Sequence, residues 1–151
     1  NHSWEKFQKL LQDAGIKLLV DVRSHPVSRF TPHFSKKNLE EALAKAGIRY
    51  EFLGAELGGR PKEKSFYKSE KEVDYWKLAG SKLFKDGIER LLELAKESTT
   101  TIMCAEEDPN RCHRGFLITP ALHQKKIEVR HLRGDGRTQE KLSLDRQMGL
   151  L

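Results

Sequence analysis

Reactive side chains crowd into a few short stretches of this sequence. The densest is Cys104-Ala105-Glu106-Glu107-Asp108-Pro109-Asn110-Arg111-Cys112-His113-Arg114, which holds both cysteines of the chain. A thiol at a helix start ionises more readily, because the helix dipole and its free N–H groups favour the thiolate. Cys112 is placed to open a helix, so it is expected to react faster than Cys104, which a strand would bury. His113 can give or take a proton near neutral pH. Arg114 sits awkwardly at the positive end of a helix, so an anionic ligand or a carboxylate such as Glu106 is expected beside it. Cys104 reads equally well as a small buried hydrophobe, whereas for His113 and Arg114 the functional reading outweighs the plainer one, in which Arg114 merely pairs with a loop carboxylate.

Sharper motifs fit this stretch poorly. A Cys-x5-Arg phosphate loop needs arginine where Asn110 stands, and three acidic residues would oppose a phosphate there. Zinc would have Cys104, Cys112 and His113, an unusual seven-residue gap, and would require a fourth donor such as His25. No metal is assigned on that basis, and the residues name no cofactor. Dithiol redox chemistry lacks the C-x-x-C spacing.

Two further stretches carry candidates. Asp21-Val22-Arg23-Ser24-His25-Pro26 leads into a run of cations interleaved with Phe30 and Phe34, the residue types that stack bases and contact phosphates. The plainer reading is a surface loop whose two phenylalanines pack on the core. The stretch from Leu53 to Lys68 is long and glycine-rich, a candidate lid, with Glu56 its best acid or base and Gly58-Gly59 beside it. Glu56 could equally pair with Arg60. His2 and His123 look incidental.

The elements that must position these residues alternate along the chain. Trp4, Phe7, Leu10, Leu11 and Ala14 make a helix stripe between a Ser3 cap and a Gly15 stop. Leu18–Val22 reads as a strand buried on both faces. A second helix starts near Ser35 and ends at Gly47, before a strand over Ile48–Phe52. Ser69-Glu70-Lys71-Glu72 predicts a capping box opening helical sequence to about Glu97, broken near Gly80. Thr99–Cys104 predicts a third strand, Cys112–Gln124 a helix disturbed by Pro120, and Ile127–His131 a fourth strand. Residues 134–151 read as a loose tail. The alternation argues for a single α/β domain over residues 1–151, three layers thick, with a mostly parallel sheet flanked by helices. In such sheets ligands bind beyond the carboxyl ends of the strands, where the three stretches fall.

Composition bounds the rest. Twenty-eight Lys and Arg against 22 Asp and Glu leave 151 residues with a net charge of +6, a basic protein. No apolar run approaches the roughly 20 residues that span a bilayer, so no membrane partner is expected. Two cysteines do not make a disulfide scaffold, which points to a reducing cytoplasm.

Leu19-Val20-Asp21-Val22-Arg23-Ser24-His25-Pro26, Glu56-Leu57-Gly58-Gly59, Met103-Cys104-Ala105-Glu106 and Cys112-His113-Arg114 resemble, in order and spacing, the family called domain of unknown function 488. The resemblance spans nearly the whole chain. It implies an α/β fold and a shared polar site, and no reaction. Members of that family usually begin with a short strand and a Gly-His-Ser turn, and the chain is expected to start past them.

These residues lead to an expected enzyme with Glu56, Cys104, Glu106, Cys112 and His113 in catalysis. Arg23, His25, Gly58, Gly59 and Arg114 are the expected binding residues for an anionic small molecule, a nucleotide or a nucleic acid. Two alternatives stand beside it: rhodanese-like sulfur transfer, without that loop's glycine pattern, and a nucleic-acid-binding module without catalysis.

Overall fold

The computed structural model describes residues 2–140. Helix α1 (Trp4–Asp13) is capped by the Ser3 hydroxyl, which accepts from Lys6 N–H at 3.2 Å. Strand β1 (Leu18–Asp21) follows, then α2 (Lys36–Lys45) and β2 (Arg49–Phe52). Gly15 and Gly47, at φ of 69° and 74°, end the two helices in the left-handed conformation that glycine adopts without strain. A single turn, α3 (Gly54–Leu57), leads through an irregular stretch to α4 (Tyr75–Gly80), α5 (Lys82–Glu97) and β3 (Thr100–Met103).

The three strands form one parallel sheet in the order β2-β1-β3, with Asp21 level with Phe52 and Met103. The central strand is buried throughout, as its apolar run predicts. Leu18, Val20 and Val22 face a core built with Leu78, Phe84, Ile88 and Leu91 of α4 and α5. Leu19 faces the other way, toward Leu11 of α1 and Leu39 and Leu43 of α2. Helices therefore cover both faces, and the fold is α/β in three layers. No helix among the described residues is long and apolar enough to cross a membrane.

Three expectations fail locally. Residues 69–72 do not open a helix. Val73 is buried and bridges Tyr67, Asp74 N–H donates to the Phe66 carbonyl, and the helix starts only after Asp74. Burial of Phe66 and Val73 outweighs the local capping signal, and Ser81 caps α5 where the expected break falls. The stretch 127–131 does not join the parallel sheet. His131–Leu132 (β4) pairs antiparallel with Thr138–Gln139 (β5) in a separate ribbon. Part of the expected tail is thus structured, and residues 141–151 lie outside the described residues. The helix expected over 112–124 is a π-turn over Arg114–Ile118 joined to α6 (Thr119–Gln124). Pro120 brings no N–H, and it stands in the first turn of α6, where none is needed.

Asp21 has no exposed surface, and Arg23 closes on it with Nε to Oδ1 at 2.9 Å and Nη2 to Oδ2 at 2.7 Å. Tyr50 donates its hydroxyl to Oδ2 at 2.7 Å. Burial and that bond to Asp21 raise the Tyr50 pKa, so the phenol stays protonated. Removing one partner of a buried pair strands the other charge, at about 3–5 kcal/mol. Arg23→Leu is therefore expected to lower unfolding free energy by about that amount in urea titrations. Tyr50→Phe should cost about 1.5–3 kcal/mol, because only one bond to the charged group is lost.

His131 is also buried, and its Nε2 has no hydrogen-bond partner among the described residues. Burial, with Arg114, His123 and Arg133 nearby, pulls its pKa down to about 4. The unfolded chain thus binds the extra proton first, and stability present above pH 6.5 is lost as pH falls toward 4. Stability should drop by about 1–2 kcal/mol between pH 7 and pH 5 from this group. Melting curves of His131→Leu should show a correspondingly flatter acid limb.

Candidate functional site

All three parallel strands end at one edge, and the reactive stretches leave from there. Beyond β1 the backbone is held on both sides: Val22 N–H donates to the Met103 carbonyl at 3.0 Å, and Leu53 N–H to the Asp21 carbonyl at 3.0 Å. The Val22 carbonyl accepts from His113 Nε2 at 3.0 Å. A carbonyl only accepts, so the proton of the neutral ring sits on Nε2, and the Nδ1 lone pair is turned inward. Cys104 Sγ lies 3.6 Å from that Nδ1 and Cys112 Sγ 3.8 Å. Both sulfurs and Nδ1 lie within 4.8 Å of one another, the one such group of possible metal donors found among the described residues.

The loop after β2 packs down on this cluster. Ser24 Oγ accepts from Arg60 N–H at 2.8 Å, and Tyr75 donates to the Gly59 carbonyl at 3.1 Å. A Cβ on Gly58 would fall 2.3 Å from Ser24 Oγ, and one on Gly59 would fall 3.1 Å from His113 Nδ1. Both glycines permit close approach, a role in packing the site.

The two thiols behave as a coupled pair. The adjoining Cys112 thiol, the amides of Glu106 and Ala105, and the Arg114 charge bring the Cys104 thiol down to about 6, against the cost of burial. The Cys104 sulfur beside it and its own deeper burial push Cys112 up to about 12. Arg114 donates from its backbone N–H and its Nε to Cys112 Sγ at 3.4 and 3.3 Å. The lower pKa thus belongs to Cys104, the more exposed of the two sulfurs. This reverses the reactivity expected from position alone: Cys112 precedes a π-turn and is shut in by its neighbours.

Of the two partners expected for Arg114, the Glu106 carboxylate is not the one used: Nη2 donates to the backbone carbonyls of Glu106 and Glu107, and Nε to a sulfur.

A cleft of about 290 Å³ opens beside the cluster. Arg23, His25, Cys104, Glu106 and Arg114 border it, as does the apolar side of α1 through Phe7 and Leu10. Cys112 and His113 stand behind Cys104, off the wall. Glu56 is elsewhere: its Cβ lies where a side chain on Gly87 of α5 would be, and its Oε2 is buried with no hydrogen-bond partner among the described residues. His25 is exposed on the wall and does not join the sulfur cluster. Phe34 packs edge-on against Phe7 with centroids 5.0 Å apart, whereas Phe30 is 95% exposed.

Sequence reasoning missed two residues. His2 borders the cleft, and its carbonyl lies 3.1 Å from His33 Nε2. Tyr50 holds Asp21. Neither lies in a motif, and only the chain fold brings them in. Arg133 also borders the cleft, clamped by Glu107 through Nε and Nη2 at 2.8 Å each. That contact depresses the Glu107 pKa to about 2.

The difference between the thiols is open to measurement. In reduced, native protein Cys104 should take iodoacetamide well ahead of Cys112, with Cys112 labelled only on unfolding; peptide mass spectrometry over time distinguishes the two. Faster labelling of Cys112 would contradict this arrangement.

No curated protein and no solved structure matches the chain. Residues 3–119 match the family described as Domain of unknown function DUF488, a span that takes in β1 through β3, the sulfur cluster and the glycine loop. The chain belongs to that family.

Proposed function

We propose that this chain is an enzyme in which Cys104 attacks a small anionic substrate of the nucleotide class held in the cleft. A bond to sulfur forms as the bond to a displaced group breaks, and that group leaves with the thiol proton relayed by His113. The observation that carries the reading is the line from Cys104 Sγ to His113 Nδ1 to the Val22 carbonyl. A nucleophile, a base and a group that orients the base is the arrangement that activates a thiol. Here the orienting group is a backbone oxygen at the end of the central strand, so the base is fixed by the sheet itself.

Anion binding falls to few residues. Asp21 offsets Arg23, and Glu107 offsets Arg133. Arg114 and His25 remain on the wall, next to a rim from Arg23 to Asn38 that carries two Arg, two Lys and two His with no acidic residue. Glu106, exposed at the same wall, is the available carboxylate for proton transfer. The nucleic-acid-binding alternative has one observation of its own, the fully presented ring of Phe30 within that basic rim.

Thermal melts with a panel of nucleotides and pyrophosphate test the reading. A bound anion should raise the melting temperature of the wild type and of Cys104→Ser alike, and the shift should vanish in Arg114→Ala. Arg114→Ala should itself melt lower, because two carbonyls lose this donor and the Cys112 sulfur loses one of its two. With an activated substrate analogue, intact-mass spectrometry should show an adduct on the wild type and none on Cys104→Ser. An undiminished shift in Arg114→Ala, or steeply salt-dependent RNA binding with no adduct, would overturn the proposal in favour of a binding module.

A further inference from the structure

The sulfur cluster has a second chemical capacity. Tetrahedral zinc with thiolate and imidazole donors, at about 2.3 Å and about 2.05 Å, places sulfur and nitrogen about 3.6 Å apart. The two sulfur–nitrogen separations here are 3.6 and 3.8 Å, matching two of the three donor–donor edges, and the sulfurs lie within 4.8 Å of each other. The histidine is oriented as a metal ligand is: Nδ1 faces the sulfurs while Nε2–H is tied to the Val22 carbonyl, the outer-shell bond that fixes a ligating ring. Arg114 N–H and Nε–H point at Cys112 Sγ, and a metal-bound thiolate remains an acceptor for both. Gly59 keeps a side chain away from Nδ1.

We infer that Cys104, Cys112 and His113 form a Zn2+ site with three protein donors and one open position. Three nitrogen and sulfur ligands with a free position are the pattern of zinc sites that exchange a ligand, whereas purely structural sites are closed by a fourth residue. His25, the one sequence candidate for a fourth donor, is outside the cluster. The site rests on the proposed thiol enzyme in one respect only. Zinc takes the Cys104 lone pair, so the thiol chemistry belongs to the metal-free chain and zinc occupancy switches it off. Binding forms two metal–sulfur bonds and one metal–nitrogen bond, displaces water from the hydrated ion and releases the remaining thiol proton to solvent, with no change of oxidation state.

The experiment is a Co2+ titration of the full chain, reduced, stripped with chelator and kept free of oxygen. One Co2+ per chain is expected, with strong sulfur-to-metal charge-transfer absorption and the visible bands of a tetrahedral ion, both lost when Zn2+ is added. Cys104→Ser, at the half-buried position, should fold and lose most of the charge-transfer intensity. In the wild type, equimolar Zn2+ should slow alkylation of Cys104 by about tenfold or more. Weak octahedral absorption in the reduced wild type, or an unaltered spectrum in Cys104→Ser, would overturn the assignment. The two proposals fail separately. If Co2+ is not bound while anions still shift the melting temperature and Cys104 still forms an adduct, the metal site falls alone. If Co2+ binds with those bands and no anion shifts either form, the substrate reading falls and the metal site stands.

Discussion

Asp21 is a carboxylate with no exposed surface at the end of the central strand, and Arg23 and Tyr50 together satisfy it. A charge in that position costs several kcal/mol unless it is paired and fully hydrogen-bonded. The chain meets this demand by curling Arg23 back over the strand end, and the curl sets the geometry of the whole sheet edge. The Val22 carbonyl is left facing His113, and Ser24 is left to receive the glycine loop. The Arg23 carbonyl lies so near Gly54 that a Cβ there would stand 2.1 Å from it. Gly54, Arg60 and His113 thus take their positions from one turn of backbone.

That dependence explains what could and could not be read from the residues alone. The buried strand at Leu18, the Ser3 cap and the helix stops at Gly15 and Gly47 are local features, and local patterning reports them. The capping box at Ser69 is local too, but Phe66 and Val73 must reach the core, and a buried apolar pair outweighs one cap. The stretch at 127–131 has strand-like residues, yet its partner is the ribbon strand at Thr138–Gln139, which no periodicity announces. Among site residues, the types and the sheet edge were legible, while the pairing of Arg23 with Asp21 was not. Residues two apart share a strand face, but that Arg23 turns onto Asp21 is decided only when the fold buries that carboxylate.

The cleft has less free positive charge than its arginines suggest. Two guanidiniums are matched by carboxylates, and the third is shared between a sulfur and two peptide oxygens. Such groups hold geometry as much as they attract ligands. The sulfur pair is the remaining concentration of lone-pair electron density, partly screened from water. The two proposals thus use different surfaces of one site, the anion at the open wall and the metal ion behind it.

The π-turn at Arg114–Ile118 gives the site a mechanical independence from the helix that carries it. A wide turn accommodates one residue more than the α-helical register, about 100° of rotation. Leu117 and Leu122 can keep to the core while Cys112 and His113 point along another direction. The helix and the cluster are thus phased separately, as two gears with a slipped tooth between them. Evolution could repack the helix face without turning the histidine, whereas deletion of a single residue in that turn would swing the ring off the Val22 carbonyl while leaving every side chain of the site in the sequence.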